Sequence, residues 1–283
     1  MKVTLLSAGY CLSKENHVFR GGKRRMMRFP ATFVLIEHER LGNILFDTGY
    51  GQNFFEETRH FPASLYRNIT PVTLNDEDTA LAQLARLGIS PDSIRFIIIS
   101  HFHADHLGGL RDFPKARFIA SRAAYASVKG IRGIRAVKKA FLPGMLPADF
   151  ASRLDFLEEV SAGVQAPFGS FASGFDLLGD GSIMAVALPG HAAGQIGIRL
   201  MDQDGVDWFF IADAAWHERT YKEMRLPAPV TRFIMHSWRD FTESLAKVNE
   251  VYREEPLLRI IPCHCEDTFA RFGHREIAED VVG

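Results

Sequence analysis

Cysteine is scarce: Cys11, Cys263 and Cys265 are all that the 283 residues hold. An odd count without paired spacing argues against a disulfide framework. No apolar run approaches the roughly 20 residues that a membrane-spanning helix needs, so no membrane partner is expected. The opening Met1-Lys2-Val3-Thr4-Leu5-Leu6 reaches Ser7-Ala8-Gly9 at once. That is too short an apolar stretch for a secretory signal, and the expected location is cytoplasmic. Charge imbalance is missing too: 33 Lys and Arg oppose 34 Asp and Glu, a formal net charge of −1. No global field therefore points to nucleic acid. Internal repeats and low-complexity tracts are absent. What remains is an ordinary globular composition, 47% hydrophobic and 24% charged, enough to bury a sizeable core. The length suits one large domain or two small ones, and one domain over 1–283 is expected.

The chemistry gathers in Ser100-His101-Phe102-His103-Ala104-Asp105-His106-Leu107-Gly108-Gly109. Before it runs Arg95-Phe96-Ile97-Ile98-Ile99, apolar, β-branched and of strand length. The glycines behind it permit a sharp turn and close backbone approach. The cluster reads as a loop leaving the end of a buried strand, where sites collect in sheets covered by helices. Imidazole nitrogen and carboxylate oxygen are both zinc ligands. His101 and His103 are two apart and project to one side of an extended chain. Asp105 and His106 are adjacent and diverge unless the backbone turns. A turning loop can thus serve two metals, and metals roughly 3.5–4 Å apart can share a bridging oxygen ligand.

Two metals need more donors, and the chain supplies candidates. His191 lies in Leu188-Pro189-Gly190-His191, Asp213 follows Trp208-Phe209-Phe210-Ile211-Ala212, and His264 follows Ile260-Ile261-Pro262-Cys263. Each comes at or just after the end of a strand-like run, as the first cluster does.

This ordered set, His101-Phe102-His103-Ala104-Asp105-His106 followed by His191, Asp213 and His264, resembles the metallo-β-lactamase superfamily. Ala8-Gly9-Tyr10-Cys11 and Leu45-Phe46-Asp47-Thr48-Gly49 are similar to the N-acyl homoserine lactone lactonase branch. The resemblance implies an α/β fold, a four-layer αββα sandwich with a dinuclear site between its sheets. It implies that His101, His103 and His191 bind one metal, that Asp105, His106 and His264 bind the other, and that Asp213 bridges them. Two zinc ions are expected, with iron, manganese or cobalt as the other options. A bridging hydroxide would open a lactone or carboxylic ester of small-molecule size, with Asp105 able to pass a proton to the leaving group. Asp47 is expected behind the ligands, fixing their orientation. In the lactonase branch a tyrosine three residues after the bridging aspartate contacts the lactone carbonyl; here that position is Trp216, whose indole has a single N–H donor. Trp216 and His217 are expected in the substrate pocket. Classical zinc β-lactamases place other ligands where Asp213 stands, and a secreted antibiotic-destroying enzyme would need an export signal.

Fold alone does not choose among lactone, ester, thioester and phosphodiester. A diiron oxidoreductase is a second reading, weakened because flavin-linked proteins of this fold usually carry a carboxylate at the position of His103. A metal-bearing binding protein without turnover is a third. Further expectations are strands at Val3–Leu6, Ala31–Glu37, Asn43–Phe46, Arg117–Ala120, Ile183–Leu188, Gln195–Met201, Val206–Ala212 and Leu257–Ile261. Helices are expected over Asn75–Leu87, with Leu81, Leu84 and Leu87 as a core stripe, from Ser121 to Val128, and over Trp238–Arg253 capped by Ser237. Residues 52–72 read as a pocket rim, and the basic loop 20–28 as a solvated loop or an anion-attracting flap. Residues 130–175, with Phe141-Leu142-Pro143-Gly144-Met145 and Pro167-Phe168-Gly169-Ser170-Phe171, read as an inserted cap for an apolar arm of the substrate or as a satellite core. Cys263 and Cys265 read as reduced, buried thiols.

Overall fold

The computed structural model describes residues 1–164, 171, 173–177 and 179–274. Its strands fall into two sheets. The first holds β1 (Lys2–Lys14), β2 (Met26–His38), β3 (Gly42–Phe46), β4 (Val72–Thr73), β5 (Ile94–Ile98), β6 (Arg117–Ala120) and β7 (Leu154–Phe156), in the order β4-β1-β2-β3-β5-β6-β7. The second holds β8 (Ala162–Val164), β9 (Gly174–Asp176), β10 (Ile183–Ala187), β11 (Ile196–Met201), β12 (Asp207–Ala212) and β13 (Arg259–Pro262), in the order β13-β12-β11-β10-β9-β8. β3, β5, β6 and β7 run parallel, as do β12 and β13; the remaining pairs are antiparallel.

Alternation along the strands makes the layers. Val34 and Ile36 of β2 join Ile44, Phe46, Ile98 and Ile119 in a core that also receives Ile183, Ile196, Ile198, Phe210 and Ile261 of the second sheet. Phe33 and Leu35, one residue out of phase, join the other core, with Phe54, Leu84, Phe113 and Phe150. Successive side chains point to opposite faces of a strand, so one set fills the space between the sheets and the other packs under helices. The second sheet is covered by the helix Trp238–Glu254, whose Phe241, Leu245, Val248 and Val251 are buried. Fully burying such side chains contributes about 1.5–3 kcal/mol each. The helix, sheet, sheet, helix order is the four-layer sandwich expected.

Several elements depart from their expected form. The first strand runs on to Lys14 because β2 pairs with it as far as Met26. The Asn75–Leu87 helix is divided: Asp76–Asp78 form one tight turn, then Thr79 accepts from Ala82 N and starts Ala80–Arg86 afresh. Its hydroxyl competes for backbone groups that a continuous helix would use. Leu84 is buried there, but Leu81 is exposed. The 52–72 stretch forms short helices, Asn53–Glu57 and Ser64–Ile69. The 130–175 segment is shared between roles. β7 extends the first sheet, and Phe141, Leu142, Met145 and Phe150 are core residues, while Val137, Lys138 and Ala140 line a cavity at the candidate site. Pro167, Phe168, Gly169 and Ser170 lie outside the described residues.

Candidate metal centre

The donor candidates sit past the C-terminal ends of β5, β10, β12 and β13, gathered at one edge of the sandwich. After β5 the chain passes Ser100, His101 and His103 and turns into the short helix Ala104–Leu107, which carries Asp105 and His106. Gly108 lets this turn lie against the loop after β3: a Cβ there would meet Gly51 N at 2.0 Å. Gly190, at φ +133°, does the same for the His191 loop, where a Cβ would meet Phe241 N at 2.1 Å. Asp47 and Ala212 adopt positive φ, 60° and 45°, a conformation costing L-residues roughly 1–2 kcal/mol. Both positions immediately precede or support the site, where such strain is tolerated if the surroundings over-determine it.

Asp47 is the anchor behind the imidazoles. Its Oδ1 accepts from Ser100 N at 2.8 Å, and its Oδ2 from Ser100 Oγ and His106 Nδ1, each at 2.7 Å. A carboxylate only accepts, so His106 carries its proton on Nδ1 and turns Nε2 forward. Since the Ser100 hydroxyl donates to Asp47, its oxygen accepts from His101 Nδ1 at 3.0 Å, and His101 also turns Nε2 forward. His264 Nδ1 lies 2.8 Å from the Pro30 carbonyl, another acceptor, which fixes the same tautomer. The aspartate expected behind the ligands thus orients His106 directly and His101 through Ser100.

The forward atoms converge. Donor atoms of His101, His103 and His191 lie within 4.8 Å of one another, and those of His106, Asp213, Cys263 and His264 form a second such group. Asp105 Oδ2 stands 3.3 Å from His264 Nε2, beside the second group. Asp213 Oδ2 is 3.1 Å from both His191 Nε2 and His264 Nε2, so this carboxylate stands between the groups. His101 Nε2, His106 Nε2, His191 Nδ1 and Asp213 Oδ1 are buried without a hydrogen-bond partner among the described residues. Leaving a buried polar atom unsatisfied costs about 1–3 kcal/mol. Convergent imidazole lone pairs and carboxylate oxygens are the donor set of a divalent metal ion, and the residues present fit two such groups.

Electrostatics point the same way. Burial, reinforced by neighbouring imidazoles, holds the His101 and His103 rings well below the usual histidine range. Burial would also lower His106 and His264, but Asp47 beside the first and Asp213 beside the second reverse it and hold both well above. Burial would raise Asp213, yet His264 and His191 keep it well below the carboxylate range. The buried carboxylates draw positive charge to this point, whether protons or a metal cation.

A cavity of about 360 Å³ opens over the cluster. His103, Asp105, His191, Asp213 and His264 face it, and Leu12, Phe29, Tyr66, Val137, Trp216 and Ile234 are among its walls. Trp216 is where it was expected and does more than line the wall: its Nε1–H donates to Asp213 Oδ2 at 3.1 Å. His217 corrects the sequence reading. It is buried away from this cavity, capping the helix Glu218–Lys222 by accepting from Arg219 N and placing Nε2 3.4 Å from Asp267. Its extended backbone, φ −147°, turns it to the opposite side from Trp216. The 20–28 loop contributes no residue to this cavity except at its neighbour Phe29, and Arg25 is engaged by Glu15.

Tyr50, on the cavity wall, was missed as a site residue; Tyr66 and Ile69 belong to the stretch read as a rim. Burial holds the Tyr50 and Tyr66 phenols well above their usual range, and the Tyr50 hydroxyl is hydrogen-bonded to the Cys11 side chain. Burial pushes the Cys11 thiol up to about 12. Cys263 is a buried thiol as expected, donating to the Thr32 carbonyl at 3.3 Å, but its sulfur also falls within the second donor group. The one signal for that was its place next to His264.

Known proteins share this fold. The N-acyl homoserine lactonase AttM of Rhizobium radiobacter is 24% identical over 273 residues, 96% of each chain. A solved N-acyl homoserine lactone hydrolase, with the product N-hexanoyl-L-homoserine bound at its catalytic metal center, superposes with a TM-score of 0.70 at 20% identity, over 98% of each chain. The dizinc quorum-quenching lactonase AidC superposes with a TM-score of 0.63 at 15% identity, over 94% of this chain and 87% of that one. At these identities the structural likeness carries the fold. The family model of the Metallo-beta-lactamase superfamily matches residues 27–248, and with its two donor groups gathered at the strand ends, the chain belongs to that superfamily.

Proposed function

We propose that this protein is a dinuclear metal-dependent hydrolase that opens a lactone or related carboxylic ester bearing an apolar arm. The observation that carries the reading is a cavity that has members of both donor groups on its floor and a mainly apolar wall. Its volume, about 360 Å³, lies in the range of small-molecule sites, roughly 300–1,000 Å³. The names of the relatives, lactonases among them, support the same substrate class.

His101, His103 and His191 would hold one ion, and Asp105, His106 and His264 the other, with Asp213 between them; zinc is the metal we propose. Such ions supply Lewis acidity and a water acidic enough to ionise near neutral pH. The chain's own residues do the rest. Asp47 and Ser100 hold the imidazole tautomers that turn lone pairs forward. Asp105, the carboxylate at the cavity floor, is placed to carry a proton to the departing alkoxide. Trp216 fixes the Asp213 carboxylate through its N–H and shields it from water. Tyr50 and Tyr66 form part of the wall, while Phe29, Val137 and Ile234 offer apolar surface to the arm.

The test is kcat/KM for a medium-chain acyl lactone against bis(p-nitrophenyl) phosphate. The lactone should win, and lengthening its acyl arm should lower KM until the wall is covered, by up to about fourfold per methylene from about 0.8 kcal/mol each. Preference for the phosphodiester, with no effect of acyl length, would transfer the assignment to phosphodiester hydrolysis.

A further inference from the structure

A second cavity, of about 230 Å³, adjoins the first and shares His103, His191, Lys138 and Ile234 with it. The two therefore meet at the candidate metal ligands. Their chemistry differs. The first holds Asp105 and Asp213 at its floor. Among the described residues no acidic side chain lines the second, and its polar side chains beyond the shared histidines are Ser127, Lys138, Lys139 and His236.

Both lips of this annex are tied by backbone bonds to the ligand loops. On one side, the helix Gly133–Val137 ends and Ala140 adopts φ 48°, which turns Phe141 into the core and leaves Lys138 and Lys139 at the lip. A left-handed alanine is a strained choice. It is held by the bond from Ala104 N to the Ala140 carbonyl, 3.0 Å, at the first residue of the Asp105-bearing helix. On the other side, His236 N donates to the His191 carbonyl at 3.0 Å, and Ser237 N to that of Gly190 at 2.9 Å. The backbone at both lips is thus held against the turns that carry the donors, with Lys138 and Lys139 next to Ala140 on one of them.

We propose that this annex is a subsite for a carboxylate on the substrate, so that the ester or lactone hydrolysed carries an anionic substituent as well as an apolar arm. The inference rests on the hydrolase reading above and narrows its substrate class. Two ammonium groups and a hydroxyl, with no competing acid on the wall, match one monoanion. The lysine side chains reach solvent, so screening keeps the effect modest, about tenfold.

The experiment compares N-hexanoyl and N-adipoyl homoserine lactone, which differ by a terminal carboxylate, on the metal-loaded wild-type protein and the double variant Lys138→Gln/Lys139→Gln. The expected result is a kcat/KM ratio of about ten in favour of the adipoyl compound, expressed in KM, falling to about one in the variant and shrinking as salt rises. A wild-type ratio at or below one, or a variant that slows both compounds alike and keeps the ratio, overturns the subsite. If neither lactone is hydrolysed, the lactone reading fails separately, and the subsite is judged by calorimetric binding of adipate and hexanoate. Tighter adipate binding that the double variant abolishes supports it, and equal binding of the two overturns it.

Discussion

Replacing Asp47 by Asn should weaken metal binding without disturbing the backbone. Asp47 sits at φ 60°, a conformation that Asn adopts more readily than most residues, so the change brings no new backbone strain; Ala at the same place would. The amide oxygen can still accept from Ser100 N. The amide nitrogen must take the place of Oδ2, where it meets the His106 Nδ1–H and the Ser100 hydroxyl, which lie at 2.7 Å in the wild type. A donor then faces a donor. His106 loses a charge-assisted bond, and His101 loses its relay through Ser100, so both donor groups are affected. Loss of such supporting contacts typically costs tenfold to a hundredfold in metal affinity, about 1.4–2.7 kcal/mol. The assay is competition with a chromophoric chelator, read for each ion, alongside the melting temperature of the metal-free protein to separate ligand loss from unfolding. Two ions retained at wild-type affinity in Asp47→Asn would refute the orienting role.

Elemental analysis of protein purified without chelator should give close to two transition-metal ions per chain; a value that stays at one after supplementation would remove the dinuclear assignment. Asp213→Ala should lose far more activity than Trp216→Phe, because Asp213 reaches both donor groups whereas Trp216 contributes one N–H to it. Loss of turnover in Trp216→Phe with metals retained would reverse that ranking. Burial would raise the Glu218 carboxyl, but hydrogen bonds from Arg271 and Lys222 pull it from the ordinary 4.5 down to about 2. A depressed carboxylate stabilises the fold above its unfolded value and loses that contribution as pH falls toward the folded one. Melting temperatures measured downward from pH 5 should therefore fall less steeply in Glu218→Gln than in wild type, and parallel curves would contradict the linkage.

The donor set was legible because each member follows an apolar strand run, and a strand end is visible in one dimension. The long helix Trp238–Glu254 was legible for a similar reason, with Ser237 capping it and an apolar stripe at helical spacing. What escaped depends on partners distant in sequence. Nothing near Tyr50 shows that it shares a wall with Tyr66 and Trp216. The sequence placed Trp216 and His217 together in the pocket, but adjacent residues in extended backbone face opposite ways, and only Trp216 stayed. Leu81 matched a helical stripe, but the helix Ala80–Arg86 buries Ala80 and Leu84 and leaves Leu81 exposed. Phe141, Leu142 and Met145 read equally well as pocket or core, because composition reports that a side chain is apolar and not which apolar surface it joins.

Each sheet is drawn from one uninterrupted stretch of the chain, residues 2–156 for the first and 162–262 for the second. Asp47 and the His101–His106 cluster come from the first stretch; His191, Asp213 and His264 come from the second. Ions held between them would act as rivets across a seam, closing large loops in the chain as a cross-link does. Each would add native-state stability that grows with the logarithm of free metal over its dissociation constant. Chelation should then act first on the seam, freeing one half to shift against the other while the strands within each half stay paired.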